Sequence, residues 1–181
     1  MSPPEIWGPP VWTLIHTFSS QLNNPELIKP LFLYIQRICR YLPCPECSAD
    51  ATDYLRKVKI SEIKTIDDLT MALYLFHNYV NRKKLKPMHN FSELNKYKSY
   101  NMIAVFHNFT RVYNTRGNMK MLSDEFQRNM IITDFKKWVG TNIMSFTTFW
   151  KKLGKNNCFF VSQIFRKLCW IKSWEKTTAV S

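Results

Sequence analysis

Apolar residues recur every three or four positions along most of this chain, the spacing typical of helices that bury one face. The pattern predicts four helices and a short fifth helix within the first hundred residues. The predicted helices run from Pro9-Pro10 to about Asn23, from Pro30 to Pro43, from within residues 44–47 to Val58, from Thr65 to Pro87, and over residues 90–100. Because the connections are short, we expect an antiparallel four-helix bundle.

The second half of the chain continues the helical pattern, so the fold class is all-α. Helices are predicted over residues 102–113, 123–139 and 157–174, with a turn at residues 115–118. We therefore divide the chain into a domain at residues 1–100 and a helical, aromatic-rich C-terminal extension at residues 101–181. The apolar stripe of residues 159–174 fits packing on its own domain, docking to a partner or lying on a membrane surface.

Composition limits the class of protein. Hydrophobic residues make up 45% of the 181 residues, which excludes wholesale disorder. No apolar run approaches the roughly twenty residues that a membrane span needs, and the N-terminus shows no signal-peptide pattern.

Positive charge is concentrated in the second half of the chain. The formal net charge is +13, of which residues 101–181 carry +9 and residues 1–100 carry +4. An excess of this kind fits nucleic acid, an anionic membrane surface, an acidic partner or simply a solvated basic surface.

Two cysteines spaced as Cys-x-x-Cys, Cys44 and Cys47, are the first candidates for chemistry. Pro45 suits the first turn of a helix, which would place both sulfurs near a helix N-terminus, where the backbone dipole favours a thiolate. A thiolate is the species that attacks disulfides, so the motif indicates a redox dithiol. Two buried structural cysteines are the alternative.

A second polar group lies in the fourth predicted helix. His77 and Asn81 are four residues apart on one face, and Asn78 lies beside them. Four cations follow directly: Arg82, Lys83, Lys84 and Lys86. Polar side chains within an apolar stripe need partners, and these could be other helices or a ligand with a polar ring and phosphates.

Trp12 and His16 add an aromatic face and a polar tip in the first helix. A large, flat, phosphorylated cofactor held between helices would use them together with the polar group around His77. Zinc is a competing interpretation, because Cys44, Cys47, His16 and His77 could supply four ligands. A zinc site would leave Asn78, Asn81 and the lysines without a role, so we predict no metal.

Three motifs in this order resemble the Erv/ALR family of FAD-linked sulfhydryl oxidases, and the resemblance covers about residues 7–100. They are Trp-Gly-Pro-Pro-x-Trp-x-x-x-His from Trp7, Pro-Cys-x-x-Cys from Pro43, and His-Asn-x-Val-Asn from His77. The resemblance implies a small helical bundle that binds FAD, commonly as a homodimer. It also implies a thiol oxidase that passes electrons from a client or carrier dithiol to O₂ and gives H₂O₂.

The family's functional positions carry over to this sequence as expectations. The resemblance implies that Cys47 lies against the flavin and that Cys44 exchanges with the client. The expected cofactor contacts are Gly8, Trp12, His16, Tyr41, His77, Asn78, Val80, Asn81, Lys83 and Lys86. Tyr97 or Tyr100 could replace a family tryptophan.

The remaining cysteines mark departures from the family. Five cysteines occur, and no terminal shuttle pair or long-range disulfide is evident. We expect Cys39 to be a buried thiol and Cys158 and Cys169 to be structural, because eleven residues of straight helix separate the last two by roughly 16 Å.

The cellular setting follows from the chemistry, because ordinary cytosol keeps thiols reduced. The minimal motif set resembles the enzymes of large DNA viruses, so we expect a viral factory in the host cytoplasm or a virion, with the mitochondrial intermembrane space as the alternative.

A basic structural or nucleic-acid-associated virion protein on an inactive oxidase-like scaffold is the alternative function.

Overall fold

The computed structural model describes residues 3–114 and 122–146 of the chain. Within them the fold is all-α, as predicted, and no β-strand occurs among these residues. The helices are α1 (Pro4–Gln21), α2 (Ile28–Arg40), α3 (Pro45–Lys57), α4 (Ile66–Lys83), α5 (Met102–Tyr113) and α6 (Leu122–Thr141), with a 3₁₀ helix at Phe91–Ser99. The expected helix at residues 157–174, the turn at residues 115–118, and Cys158 and Cys169 lie outside the described residues.

The first helix begins five residues earlier than predicted, at Pro4 rather than Pro9. Pro9 and Pro10 therefore lie inside α1, where proline removes a backbone hydrogen bond. Trp7 is 5% exposed and belongs to the hydrophobic core. Burial of this large ring favours the additional N-terminal turn, which the proline signal alone does not reveal.

Local capping explains where α4 starts. The Thr65 side chain accepts the backbone N–H of Asp68, and the Asp68 carboxylate accepts the backbone N–H of Thr65 at 2.8 Å. This is a capping box, which satisfies two backbone donors at once. It confirms the start predicted from the sequence and fixes the register of the helix that carries His77.

The helices pack around one hydrophobic core. α1 packs against α4, α5 and the 3₁₀ helix, α2 packs against α3 and α6, and α3 packs against α4. Phe109 of α5 and Phe135 of α6 belong to the same core cluster as Leu14 of α1 and Leu31 of α2. The boundary at residue 100 stays a prediction. α5 and α6 follow it in the sequence and share one core with the first four helices.

Three hydrogen bonds tie distant parts of the chain to this core. The buried Tyr113 hydroxyl donates to the backbone carbonyl of Ile38 in α2 at 2.9 Å. The Gln21 side chain donates to the carbonyls of Tyr97 and Tyr100 at 2.7 and 2.9 Å, which fixes the 3₁₀ helix against α1. None of the described helices has an apolar stretch long enough to cross a bilayer.

Candidate active site

The cysteine pair lies at the start of α3, as the sequence predicts. Cys44 is the N-cap residue, Pro45 is the first helical residue, and Cys44 and Cys47 form a disulfide. The backbone N–H of Cys47 donates to the Cys44 sulfur at 3.2 Å. This donor and the helix dipole both stabilise negative charge on Cys44 when the disulfide opens.

A cavity of about 640 Å³ lies between α1, α3, α4 and the segment from Lys86 to Tyr100. Cys47 is part of its wall, whereas Cys44 is not among the residues that line it. The volume falls within the range of about 300–1,000 Å³ usual for small-molecule and cofactor sites. Of the two cysteines of the disulfide, Cys47 alone belongs to the lining of this ligand-sized space.

An aromatic stack forms one wall of the cavity. The rings of Trp12 and His77 lie 4.0 Å apart between centroids, with an interplanar angle of 10°. Behind them, Nε2 of His16 lies 2.9 Å from Nδ1 of His77, so the two imidazoles are hydrogen bonded. This hydrogen bond joins α1 to α4 and holds the His77 ring parallel to Trp12, which creates a flat surface for another ring.

Burial keeps these histidines uncharged. Desolvation, followed by repulsion from His77 and His89, lowers the pKa of His16 from 6.5 to about 3. Desolvation and repulsion from His89 and Lys96 lower the pKa of His77 to about 4. Both imidazoles are therefore neutral at pH 7, and each has one nitrogen that donates and one that accepts.

A third histidine completes the cluster. His89 lines the cavity, and its ring centroid lies 4.8 Å from that of His77. The Asn78 side chain grips the backbone of His89, because Asn78 Oδ1 accepts its N–H at 2.7 Å and Asn78 Nδ2 donates to its carbonyl at 3.2 Å. Asn78 thus fixes the loop after α4 against the helix.

Cations line the edge of the cavity nearest α3. Lys83 pairs with Asp50, and Lys84 lies 3.3 Å from Glu46. Both ion pairs join the end of α4 to α3, the helix that begins at the cysteine pair. Surface pairs of this kind contribute little stability, and they hold the ammonium groups of Lys83 and Lys84 at the cavity edge.

Most of the expected cofactor contacts meet in this cavity. The predicted residues that line it are Gly8, Trp12, His77, Val80, Asn81, Lys83 and Lys86. His16 lies behind His77, Asn78 holds the backbone of residue 89, and Tyr41 packs against the core; none of these three is among the lining residues. Their roles as direct contacts stay predictions.

Sequence reasoning missed several wall residues, among them His89, Lys96 and Asp50. No motif marks His89 or Lys96, because they follow α4 in an irregular segment whose path cannot be read from helical spacing. Asp50 had a signal, since it lies three residues after Cys47 and so on the same face of α3. Tyr97 and Tyr100, between which the sequence could not choose, both line the cavity.

The zinc interpretation requires the cysteines and histidines to converge. Within residues 3–114 and 122–146, the cluster of potential ligands contains His16, His77 and His89, and neither Cys44 nor Cys47. The Cys-Cys-His-His set is therefore not assembled in this structure.

The cavity residues do fit a large planar cofactor with phosphates. Nε2 of His89, a residue of the cavity wall, is buried and has no hydrogen-bond partner among the described residues. Buried polar atoms of this kind require partners, which a heteroaromatic ring can supply. Trp12 offers a stacking face, and Lys83 and Lys86 offer cations at the edge of the same space.

Comparisons with known proteins support the family resemblance of the three motifs. The model of the Erv1/Alr family matches residues 9–101. A protein of invertebrate iridescent virus 3, named as a FAD-linked sulfhydryl oxidase, is 28% identical over 88 residues, which is 46% of this chain and 60% of that protein. A monkeypox virus protein, also named as a FAD-linked sulfhydryl oxidase, is 30% identical over 84 residues, which is 46% of this chain and 85% of that protein. No solved structure matches the chain significantly.

Proposed function

Because the chain belongs to the Erv1/Alr family, we propose that it is a FAD-dependent sulfhydryl oxidase that forms disulfides in client proteins. The observation that carries the proposal is the position of Cys47 in the wall of the cavity that Trp12 and His77 also line, with its disulfide partner Cys44 outside that wall. One sulfur can thus face a bound flavin while the other meets a client.

The cysteines perform the exchange in two steps. A client thiolate attacks the Cys44 sulfur, which forms a mixed disulfide and releases Cys47 as a thiolate. A second client thiolate then attacks the client sulfur of that mixed disulfide, which releases Cys44 as a thiolate and leaves the client oxidised. The N–H of Cys47 and the helix dipole stabilise the departing Cys44 thiolate.

FAD, when bound, would supply the two-electron acceptor, so that loss of two electrons from the Cys44–Cys47 dithiol restores the disulfide and O₂ takes up the electrons as H₂O₂. Trp12, His77 and Asn81 would hold its ring systems, and Lys83 and Lys86 would lie near its phosphates. The neutral imidazoles of His16 and His77 orient each other without adding charge to the apolar wall.

The client is a protein or carrier with a reactive dithiol. The relatives come from viruses, and such chemistry cannot persist in reducing cytosol without a dedicated pathway. We therefore propose a viral factory or a virion as the setting. A homodimer, and an anionic partner for residues 101–181, also stay proposals, to be tested by light scattering and by the salt dependence of DNA binding.

The test is spectroscopic and kinetic. Purified protein should show flavin absorbance and should consume O₂ when a dithiol is added. Cys47→Ser should retain flavin and lose turnover. Cys39→Ala tests the other cysteine of the cavity wall and should keep turnover, because Cys39 is buried and its pKa is raised to about 12, so it stays an unreactive thiol.

Two results would contradict the proposal. Protein that binds no FAD when purified or reconstituted is not an oxidase of this kind. Protein in which Cys47→Ser keeps full turnover uses a different sulfur.

A further inference from the structure

His89 lies outside every motif that the sequence suggests, yet it stands in the cavity wall. Its side chain is only 12% exposed, although the segment around it lies at the surface. The two hydrogen bonds between Asn78 and the backbone of His89 fix this position from both sides. These bonds hold the backbone of residue 89, and the position of the backbone in turn sets where the imidazole lies in the cavity wall.

The His89 ring extends the aromatic wall. Its centroid lies 4.8 Å from the ring centroid of His77, at an interplanar angle of 27°. The His77 ring in turn stacks on Trp12. Three rings therefore follow one another along the cavity, from α1 through α4 to the loop before the 3₁₀ helix. A planar ligand that reaches the His77 face also comes within range of His89.

The two ring nitrogens of His89 have different surroundings. Nδ1 faces the carboxylate of Glu93 at 3.8 Å, beyond hydrogen-bond distance. Nε2 is buried and has no hydrogen-bond partner among the described residues. The groups that face the ring are His16 on α1, His77 on α4, and Glu93, Lys96 and Tyr97 on the 3₁₀ helix.

The pKa of His89 is lowered from its ordinary value. Burial and the charge of Lys96 lower it, and the Glu93 carboxylate opposes them in part. A neutral imidazole can accept or donate one hydrogen bond at Nε2, as the tautomer requires. A buried Nε2 without a protein partner requires a hydrogen bond from a bound molecule, which an ordered water or a ligand can supply.

We propose that His89 is a further cofactor-contacting residue, which hydrogen bonds through Nε2 to a heteroaromatic ring of FAD, and that Asn78 is a positioning residue that acts through it. The inference rests on the proposed function, because it takes FAD as the ligand of the cavity. Both the isoalloxazine and the adenine ring carry the nitrogen and oxygen atoms that such a bond needs. The test distinguishes the two rings by measuring FMN, which carries the isoalloxazine, and ADP, which carries the adenine.

The first experiment measures dissociation constants for FAD, FMN and ADP. His89→Phe keeps a ring and removes the nitrogen, so FAD should bind about tenfold more weakly, as expected for one lost hydrogen bond in a buried site. His89→Gln can place an amide near the position of Nε2 and should recover most of the affinity. His107→Phe is the matched control, because His107 is exposed on α5 and does not line the cavity.

The fragments locate the contact. A parallel loss for FMN assigns it to the isoalloxazine end, and a parallel loss for ADP assigns it to the adenine end. An unchanged FAD affinity in His89→Phe, a loss shared by neither fragment, or a His89→Gln variant as weak as His89→Phe overturns the proposal. Wild-type protein that binds no FAD overturns the proposed function itself, which is a separate result.

The second experiment tests whether Asn78 acts through His89. Asn78→Ala, His89→Phe and the double variant form a double-mutant cycle of FAD affinities. If Asn78 only places His89, the double variant should bind about as weakly as the weaker single variant. If the two losses multiply, Asn78 contacts the cofactor independently and its assignment as a positioning residue is wrong. Asn78→Asp, which keeps the acceptor for the His89 N–H, serves if Asn78→Ala fails to fold.

Discussion

The buried histidine pair predicts that the fold loses stability steeply in mild acid. His16 and His77 have pKa values lowered to about 3 and about 4, against 6.5 when unfolded. Below pH 6.5 the unfolded chain therefore binds protons that the folded protein does not. The stability that the two neutral histidines contribute is fully present above pH 6.5 and is lost as the pH falls towards 4.

The magnitude follows from the two pKa values. The His77 difference of about 2.5 corresponds to about 3.4 kcal/mol, and the His16 difference of about 3.5 corresponds to about 4.8 kcal/mol. The two are not additive, because part of the His16 value reflects repulsion from a protonated His77. We expect the pair together to cost about 5 kcal/mol between pH 7 and pH 4, a large share of a typical domain stability.

The assay is urea unfolding, followed by tryptophan fluorescence, from pH 8 to pH 4.5 at constant FAD concentration. Near pH 5 the free energy of unfolding should fall by about 2.7 kcal/mol per pH unit, the value for two protons. His77→Gln removes one titrating group and should roughly halve this slope. His107→Gln, which removes an exposed histidine outside the cluster, is the control and should keep the steep dependence.

A free energy of unfolding that stays constant between pH 7 and pH 4.5 would refute the reasoning. It would mean that His16 and His77 take up protons in the folded state as readily as in the unfolded chain.

Two further predictions concern the walls of the cavity. Gln21→Leu leaves the carbonyls of Tyr97 and Tyr100 without their donor, so the protein should lose about 1–3 kcal/mol in thermal or urea unfolding; an unchanged stability would show that Gln21 does not hold the 3₁₀ helix. Lys83→Met removes a cation paired with Asp50 and should weaken FAD binding about tenfold or more. Titrations at low and high ionic strength should also show that FAD binding by the variant depends less on salt than binding by the wild type. Equal FAD affinities of the two proteins at low salt would place the phosphates elsewhere.

The elements that the sequence predicted well carry strong local signals. The capping box at Thr65 and the proline after Cys44 determine helix starts through backbone donors and a fixed φ, both of which depend on a few adjacent residues. The helix at 102–113 matched because its apolar spacing and its Asn101 cap agree. These local signals do not depend on tertiary contacts with the rest of the chain.

The errors and omissions have a different origin. The start of α1 depends on burial of Trp7, which is a tertiary contact and outweighs the proline signal. The contribution of His89 to the cavity depends on two hydrogen bonds from Asn78, eleven residues away, across a segment with no periodicity. The expected contact between Asn78 and the cofactor stays a prediction, because a motif identifies a polar residue without showing which partner it meets.

The central claim is that FAD occupies the cavity with the Cys47 sulfur beside its ring system. The most direct measurement is a crystal structure of the protein loaded with FAD. The account predicts the ring system against Trp12 and His77, with the Cys47 sulfur within about 4 Å of it, the separation of atoms in van der Waals contact. A flavin bound elsewhere, or one with Cys44 as the nearer sulfur, would contradict it.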